Sequence, residues 1–192
     1  SPEQSVGKVA AVQMARHHNL PIYGLGGGVE AKTPDAEAAA EAMMNMLLNG
    51  LAGMTMSQSL GTLAWGLYGS REMGVICDEL VAMIKRVLDG VNVNDDTLAI
   101  DVIREVGQGG SFLQHDHTAR YFREELFFPT LFRRQTIEQW LKSGGKMAHE
   151  VAHERVQAIL ASAAPVELPP GADAELERAL NAAVRETLAA KG

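Results

Sequence analysis

The sequence predicts an α/β fold in which short parallel strands alternate with helices. Two short apolar segments, residues 20–23 and 52–57, have the length of buried strands, and each lies between stretches with helical signals. The order helix, strand, helix, strand, helix is typical of a parallel sheet, because parallel strands need a crossover connection. With 192 residues, 46% of them hydrophobic, the chain can form one domain with a sizeable core.

Capping signals place the first two helices. Residues 1–4 have the sequence of a capping box with proline at the first helical position, so the first helix should run to about His18. The second helix should start at residues 33–35, rich in capping side chains, and end near Gly50. The two predicted strands follow these helices.

Similar signals place the later helices. A third helix should follow Ser70 and end at residues 89–90, and Asp95 and Asp96 should cap a fourth. Beyond Gly110 the chain is helical and aromatic, which indicates a helical region packed onto the main core.

A domain boundary is predicted near residue 165. The proline-rich residues 166–171 have the composition of a linker, and the charged, alanine-rich residues 172–190 have that of a helix. We therefore assign residues 1–164 to the main domain and residues 165–192 to a linker and terminal helix.

Composition excludes several classes of protein. A net charge of −7 with scattered basic residues argues against a nucleic-acid partner. The single cysteine, Cys77, cannot form an internal disulfide, and in its amphipathic run it is expected to be a buried, inert thiol. Residues 42–70 carry no charge, but glycines and amides interrupt them too often for a membrane span. No secretory signal is visible, so we expect a cytoplasmic protein.

Residues 107–118 contain the densest group of residues suited to a functional site, namely three glycines and two histidines. Gly107, Gly109 and Gly110 allow close approach of the backbone to a ligand, and His115 and His117 can exchange protons near neutral pH. The same residues could equally serve as a glycine C-cap and an Asp/Thr N-cap between two helices, and both interpretations stay open.

The loops after the two predicted strands, residues 26–32 and 57–61, are the other candidates for function, because loops at the carboxyl ends of parallel strands form sites. The glycines at 24–28 lack the G-x-G-x-x-G spacing, and Glu30 would repel a phosphate. They indicate either a loop opened for a ligand or a tight turn.

The segment from His149 to His153 matches the zinc-protease pattern H-E-x-x-H, with Glu150 in the place of the base. The charged residues Glu154 and Arg155 follow directly, and no histidine lies downstream as a third ligand. A zinc hydrolase is therefore the last of our hypotheses, and we expect no metal site.

Several pieces of the chain fit one known pattern in order and spacing over residues 1–160. They are Ser1-Pro2-Glu3, Leu20-Pro21, Glu30-Ala31-Lys32-x-x-Asp35, Val106-Gly107-Gln108-Gly109-Gly110-x-Phe112-Leu113, His117-Thr118, Arg123, Pro129-x-Leu131-x-Arg133-Arg134, Trp140 and Gly144. Together they resemble the trimethylamine methyltransferase family, the corrinoid-dependent methyltransferases of methylamines and quaternary amines.

The resemblance implies a (β/α)8 barrel. The family's chains are more than twice as long as this one, and a complete barrel takes about 250 residues. We therefore expect the C-terminal part of a TIM barrel, predominantly helical, with a C-terminal helical extension.

The resemblance also implies the reaction and its partners. A methyl group would pass from a small methylated amine to the cobalt of a corrinoid (cobalamin-type) cofactor, which a separate corrinoid protein carries. The trimethylamine enzymes contain pyrrolysine and this sequence does not, so a quaternary amine such as a betaine is the favoured substrate. The chain by itself should be inactive, since much of the pocket would be missing.

The family motifs and the strand-end loops together select the site residues. Glu30 and His117 are the predicted catalytic residues and should converge on one cavity with Ser57 or Gln58 on its wall. The predicted substrate-binding residues are Gly27, Gly28, Ser57, Gln58, Gly110, Phe112 and His115.

The alternative hypothesis is a non-catalytic α/β fragment or self-assembling module. An open barrel would leave an unpaired strand edge and apolar faces, so we expect a homo-oligomer that buries surface near residues 42–70.

Overall fold

Helices dominate the computed structural model of the protein, which describes residues 1–164 and 168–189. The chain forms two compact units, Ser1–Ala158 and Ile159–Gly192. The start of the predicted linker, at residues 166 and 167, lies outside the described residues. The observed helices and short strands agree with an α/β class and with a predominantly helical chain.

The described elements follow one another in this order. They are α1 (Pro2–His17), β1 (Tyr23–Leu25), α2 (Ala36–Ala52), β2 (Met56–Gln58), β3 (Thr62–Leu63), β4 (Tyr68–Gly69), α3 (Arg71–Leu88), α4 (Asp95–Leu98), α5 (Ile100–Val106), α6 (Asp116–Glu125), α7 (Ile137–Lys142), α8 (Ala148–Ser162) and α9 (Ala172–Ala189). Short 3-10 helices cover Ala64–Gly66 and Phe112–Gln114.

The predicted parallel pair of strands is confirmed, but each strand lies later in the chain than expected. β1 and β2 pair in parallel, with Gly24 opposite Ser57, whereas residues 20–23 and 52–57 were the predicted strands. The second shift arises because α2 continues to Ala52 and ends at Gly53, whose φ of 82° lies in the left-handed region. β3 and β4 form an antiparallel hairpin that the sequence did not predict.

Of the four predicted limits of α1 and α2, two starts and two ends, three agree with the structure. α1 ends at His17 as expected, although the side chain of Ser1 accepts no hydrogen bond, so the predicted capping box does not form. The Asp35 carboxylate caps α2 by accepting hydrogen bonds from the backbone of the next turn. The observed end of α2 at Ala52 lies two residues beyond the predicted end near Gly50. Gly50 itself lies inside the helix, where a Cβ would approach Leu88 of α3 to 2.8 Å.

The core of the first unit lies between α2 and α3. Ser70 caps α3, with its hydroxyl accepting a hydrogen bond from the backbone N–H of Met73 at 3.0 Å. The buried apolar side chains from these two helices are Ala38, Ala42, Met46, Met73, Ile76, Cys77, Leu80 and Ile84. Burial raises the pKa of the Cys77 thiol, which agrees with the predicted inert cysteine.

The predicted fourth helix is divided in two. Ala99 adopts a φ of 52°, which ends α4 after Leu98 and starts α5 in a new direction. The cap of α4 is Asn94, which exchanges hydrogen bonds with Thr97, rather than the predicted Asp95. Within the described residues, no helix has the length and apolar character required to cross a membrane.

Candidate functional site

A cavity of about 260 Å³ lies next to the end of β1. Its walls come from the start of α1, the loop after β1, one side of α2 and the β3–β4 hairpin. The side chains that matter for its chemistry are Leu25, Val29, Glu30, Glu41, Met44, Asn45 and Trp65. The cavity therefore combines an indole ring and apolar side chains with two carboxylates.

Glu30 lies at a bend in the segment Val29–Ala31, between two buried residues. Val29 and Ala31 are buried in the core, whereas the Glu30 carboxylate lines the cavity with a third of its surface exposed. The carboxylate lies 2.9 Å from the amine of Ser1, and that amine carries a charge only in a chain whose first residue is Ser1. The loop after β1 thus presents Glu30 to the cavity as the sequence predicted.

Glu41 on α2 holds this segment through its backbone. Its Oε2 atom accepts hydrogen bonds from the N–H groups of Glu30, at 2.7 Å, and Ala31, at 3.3 Å. A carboxylate that accepts from two consecutive backbone donors restrains the position of both residues.

The β3–β4 hairpin holds the opposite side of the segment and brings Trp65 to the cavity. Ala64 and Trp65 have φ of 48° and 59°, a left-handed conformation that is uncommon outside glycine. In this conformation their N–H groups donate to the carbonyl oxygens of Ala31 and Val29, each at 3.0 Å. The backbone of the hairpin is therefore tied to the segment that carries Glu30.

The glycine loop lies tightly against the residues after β2. The N–H groups of Gly26 and Gly27 donate to the carbonyl of Gln58, at 3.1 and 3.2 Å. A Cβ on Gly26 would lie 2.9 Å from Ser57 Cβ, and one on Gly27 would lie 2.7 Å from Leu60 Cα. The tight-turn interpretation is therefore correct for these two glycines, whose small size permits the close approach.

Ser57 and Gln58 support the loop and do not line the cavity, whereas Gly28 does. The hydroxyl of Ser57 accepts a hydrogen bond from the Nδ2 atom of Asn49 at 3.0 Å, and the same atom donates to the carbonyl of Leu25 at 3.1 Å. Asn49 thereby links α2 to the ends of both parallel strands.

Replacing Gly27 by alanine is expected to destabilise the protein by about 2 kcal/mol, because the new methyl group would overlap the backbone of Leu60. The matched control is Gly7→Ala in the middle of α1, where nothing lies within 4 Å of the new Cβ. That change should stabilise by about 0.5 kcal/mol, since alanine favours the helix. Urea unfolding of both variants measures the difference, and equal midpoints would contradict the close approach.

His115 and His117 lie at the start of α6, where they bind other parts of the same helical region. The Nδ1 atom of His115 accepts a hydrogen bond from the N–H of His117 at 3.1 Å, so His115 caps the helix instead of the predicted Asp116 or Thr118. The Nε2 atom of His117 lies 2.8 Å from the backbone carbonyl of Asp96 and ties α6 to α4.

The carboxylate of Asp96 connects this region further. It accepts a hydrogen bond from the Tyr121 hydroxyl at 2.5 Å and forms an ion pair with Arg120. The Tyr121 hydroxyl, assisted by the charge of Arg120, holds the pKa of Asp96 below its ordinary value.

The expected convergence of Glu30 and His117 on one cavity is not found in this chain. His115 and His117 line a second, shallow cavity of about 440 Å³ with Asp96 and Arg120, and Glu30 does not line it. The reason is that the loop before α6 follows a helix, α5, and not a strand. The rule that loops after parallel strands meet at one edge therefore does not apply to it.

Gly110 and Phe112 line neither of these two cavities. A Cβ on Gly110 would lie 2.7 Å from Cγ1 of Val106, so Gly110 allows the chain to fold back on the end of α5. The side chain of Phe112 is exposed. Whether either residue contacts substrate stays a prediction.

The H-E-x-x-H segment serves packing in the described part of the molecule. The Nδ1 atom of His153 lies 2.9 Å from Oε1 of Glu72 on α3, and the Glu150 carboxylate accepts a hydrogen bond from the N–H of Met147 at the start of α8. Within residues 1–164 and 168–189, no group of three or more histidine, cysteine or acidic side chains could hold a metal ion.

Replacing Glu72 by glutamine is expected to weaken the pH dependence of stability in acid. The hydrogen bond with His153 is the largest of the effects that lower the pKa of Glu72 from 4.5 to about 2. The folded state therefore gains stability from this carboxylate above pH 4.5 and loses it as the pH falls towards 2. His153 is mostly exposed, so the gain is below about 1 kcal/mol.

Melting temperatures measured between about pH 2 and pH 5 test this expectation, because most carboxyl groups titrate in roughly this range. The Glu72→Gln variant should show a shallower decline than the unmodified protein, and Glu37→Gln, at an exposed site on α2, should not. Identical declines in all three proteins would show that Glu72 does not contribute.

Comparison with known proteins decides the family. The family model described as trimethylamine methyltransferase (MTTB) matches residues 1–186. The chain belongs to the trimethylamine methyltransferase family. The resemblance read from the motifs is thereby confirmed, and it extends into the terminal helix, where no motif was recognised.

Curated members of the trimethylamine methyltransferase family are similar to the chain over most of its length. Trimethylamine methyltransferase MttB of Desulfitobacterium hafniense (strain DSM 10664 / DCB-2) is 34% identical over 169 residues, which cover 88% of this chain and 34% of the relative. Glycine betaine methyltransferase of Desulfitobacterium hafniense (strain Y51) is 34% identical over 178 residues, covering 92% of this chain and 37% of the relative.

A third relative, trimethylamine methyltransferase MttB of Methanosarcina barkeri, is 34% identical over 160 residues, which cover 83% of this chain and 32% of the relative. The chain thus spans about one third of the length of these family members.

Sequence reasoning missed three residues that shape the cavity in this family member. Trp65 supplies its aromatic face, Glu41 holds the Glu30 segment, and Asn49 joins α2 to the strand ends. A signal for two of them was present, because Glu41, Asn45 and Asn49 recur every four residues in an otherwise apolar helix. The hairpin that places Trp65 had no comparable signal.

Proposed function

We propose that the chain is part of an enzyme that moves a methyl group from a quaternary or tertiary methylated amine, such as a betaine, to a corrinoid protein. Family membership supports methyl transfer, and the names of two relatives indicate trimethylamine or glycine betaine as the kind of substrate. The single structural observation that carries the proposal is the cavity that Trp65 and Glu30 both line.

The chemistry of this cavity suits a methylated ammonium ion. A quaternary ammonium has no N–H group to donate, so it is recognised by the face of an aromatic ring and by a nearby negative charge. Trp65 and Glu30 supply these two features, and Leu25, Val29 and Met44 supply apolar contacts for the methyl groups. The volume of about 260 Å³ fits a small amine and not a large ligand.

The reaction needs little acid–base chemistry from the protein. In methyl transfer the bond between nitrogen and the methyl carbon would break with its electron pair on nitrogen, and the partner's corrinoid would supply the nucleophile that accepts the methyl group. The leaving group from a quaternary ammonium is a neutral tertiary amine, which requires no proton. The contribution of this chain is therefore to bind the cation and orient the methyl group.

Within the proposal, Glu30 is the residue that balances the charge of the substrate, and Gly28 and Trp65 form the wall around it. A catalytic role for His117 and substrate contacts by His115, Gly110 and Phe112 stay predictions for the whole enzyme, of which this chain corresponds to about a third. The barrel, the homo-oligomer, the cytoplasmic location and the inactivity of the isolated chain also stay predictions.

The alternative, a self-assembling fragment without catalysis, is supported by one observation. All three residues of β2 are exposed, and β1 and β2 form a sheet of only two strands within the described residues. Such a sheet leaves unpaired edges that a second copy could cover.

Methyl transfer by the full-length enzyme tests the proposal directly. The enzyme is incubated with cob(I)alamin and either glycine betaine, trimethylamine or methylamine, and methylcobalamin is measured by its absorbance. We expect product from at least one quaternary or tertiary amine. No product from any of them, with the free corrinoid or with a corrinoid protein, would contradict the proposal and favour the alternative.

A further inference from the structure

We propose that Glu41 is a positioning residue, which directs the Glu30 carboxylate into the cavity by holding the backbone on which it lies. The inference rests on the proposed function, since Glu30 is taken to bind the ammonium ion. It assigns a role to a side chain eleven residues away in sequence, on a different element.

The hydrogen bonds of Glu41 carry the argument. Its Oε2 atom accepts from both Glu30 N, at 2.7 Å, and Ala31 N, at 3.3 Å, and so binds the peptide units on both sides of the Glu30 Cα atom. Two hydrogen bonds to one oxygen restrain rotation about the backbone bonds on either side of the Glu30 Cα atom. The Glu30 side chain projects from this atom. Because α2 is capped by Asp35 and packed on the core, Glu41 itself has a rigid support.

Glu41 restrains the side of the segment that the hairpin leaves free. In the hairpin, Trp65 N and Ala64 N donate to the carbonyl groups of Val29 and Ala31, and the carbonyl of Thr62 accepts from Val29 N at 3.2 Å. No backbone atom of the hairpin accepts from the N–H of Glu30 or Ala31. Without Glu41 the carbonyl groups stay anchored, while the two N–H groups next to Glu30 lose their partner. The Glu30 carboxylate keeps its contact with the Ser1 amine, so the expected consequence is a less restrained backbone at Glu30, and not an unfolded loop.

Glu41 also lines the cavity, so a direct attraction between its charge and the ligand is the competing explanation. Two variants separate the explanations. Glu41→Gln keeps the length of the side chain and an oxygen that can accept both hydrogen bonds, but removes the charge. Glu41→Asp keeps the charge, but its side chain is shorter by about 1.5 Å, one carbon–carbon bond.

Tryptophan fluorescence reports binding in the chain itself. The chain has two tryptophans, and Trp140→Phe leaves Trp65, in the cavity wall, as the fluorophore. Tetramethylammonium chloride is the probe, with sodium chloride as the ionic-strength control. Hydrogen exchange of the Glu30 and Ala31 amides, followed by NMR, reports the anchoring independently of any ligand. Glu37→Asp, at an exposed site one turn earlier on α2, is the matched control.

In the Trp140→Phe background, we expect Glu41→Asp to weaken tetramethylammonium binding about tenfold, the cost of about one charge-assisted hydrogen bond, and to speed exchange at both amides. Glu41→Gln should keep binding within about threefold and leave exchange slow, because a neutral acceptor forms weaker bonds of the same geometry. Glu37→Asp should change neither measurement.

If Glu41→Gln loses tetramethylammonium binding while the Glu30 and Ala31 amides stay protected from exchange, the proposal is overturned and Glu41 is a direct ligand. Unchanged binding and exchange in Glu41→Asp would also overturn it. If Glu41→Asp does not fold, Glu41→Gln alone still decides between the two roles. If the parent protein binds no tetramethylammonium, the cation site assigned to this cavity fails, whereas methyl transfer by the full-length enzyme tests the proposed function separately. The exchange measurement still tests the anchoring by Glu41.

Discussion

Replacing Glu30 by glutamine is expected to lower kcat/KM for methyl transfer about 100-fold in the full-length enzyme. The amide has nearly the same shape as the carboxylate but no charge, so the ammonium ion would enter a partly apolar cavity without a counter-charge. Methylcobalamin formation at several glycine betaine concentrations measures kcat and KM. The loss should lie mainly in KM, because Glu30 is expected to attract the positive charge of the substrate about equally in the bound complex and in the transition state.

The aromatic wall gives a second series for the same site. Trp65→Phe keeps an aromatic face and should cost less than tenfold in kcat/KM, whereas Trp65→Ala removes the face and should cost more than tenfold, roughly the 1–2 kcal/mol of a desolvated cation–π contact. Glu37→Gln, exposed on α2, is the control for a lost carboxylate. Unchanged kinetics in Glu30→Gln with unchanged melting temperature would contradict the site.

Replacing Glu79 by alanine is expected to destabilise the fold by about 3 kcal/mol. Glu79 is buried on α3, only 3% exposed, and its carboxylate accepts hydrogen bonds from the N–H of Thr130 at 2.8 Å and from its hydroxyl at 2.7 Å. Truncation would leave a cavity and a backbone N–H without its partner. The segment at Thr130 would then lose its main anchor on the core, where Leu131 is buried next to it.

Urea unfolding at pH 7 measures this loss, with Asp78→Ala as the control. Asp78 is the neighbouring carboxylate, but it is exposed and lies 3.9 Å from Arg155, so its removal should cost less than about 0.5 kcal/mol. Glu79→Gln keeps the volume and should be intermediate, since one hydrogen bond can still form. A loss below 0.5 kcal/mol for Glu79→Ala would contradict an anchoring role (that threshold is about the uncertainty of such measurements).

The pH dependence of Glu79 follows from the same contacts. Burial is the largest single effect and acts to raise the pKa of this carboxyl, but the hydrogen bonds from Thr130 and from the backbone of Leu131 and Phe132 together hold it below 4.5. A lowered pKa in the folded state means that the carboxylate stabilises the fold above pH 4.5 and that this contribution is lost as the pH falls through the folded pKa.

The sequence predicted which loop carries the candidate site, but it did not predict the residues from other elements that line the cavity. Glu30 and Gly28 were identified because they follow a predicted strand, and both line the cavity. Trp65 reaches the same cavity through a hairpin whose turn has two residues in the left-handed conformation, which neither Ala64 nor Trp65 favours by itself. His117 was assigned to the same site on the family motif, but the structure places it on another cavity.

The sequence by itself determined the class of the fold, the limits of α1 and α3, the start of α2 and the family. These properties depend on interactions between residues close in the chain, such as the cap that Asp35 forms with the next turn and the cap that Ser70 forms with Met73. Such contacts are encoded by the identity of neighbouring residues, and the order of the family motifs can be read directly.

Only the tertiary structure decided the exact strand register and which side chains share the cavity. Glu41 binds Glu30 across eleven positions, and Trp65 N binds the carbonyl of Val29 across 36. These hydrogen bonds exist only when α2 and the β3–β4 hairpin are packed against the Glu30 segment, and many chain conformations share the same local signals. The physical reason is that long-range contacts are selected by the burial of the whole core, a property that no short segment carries.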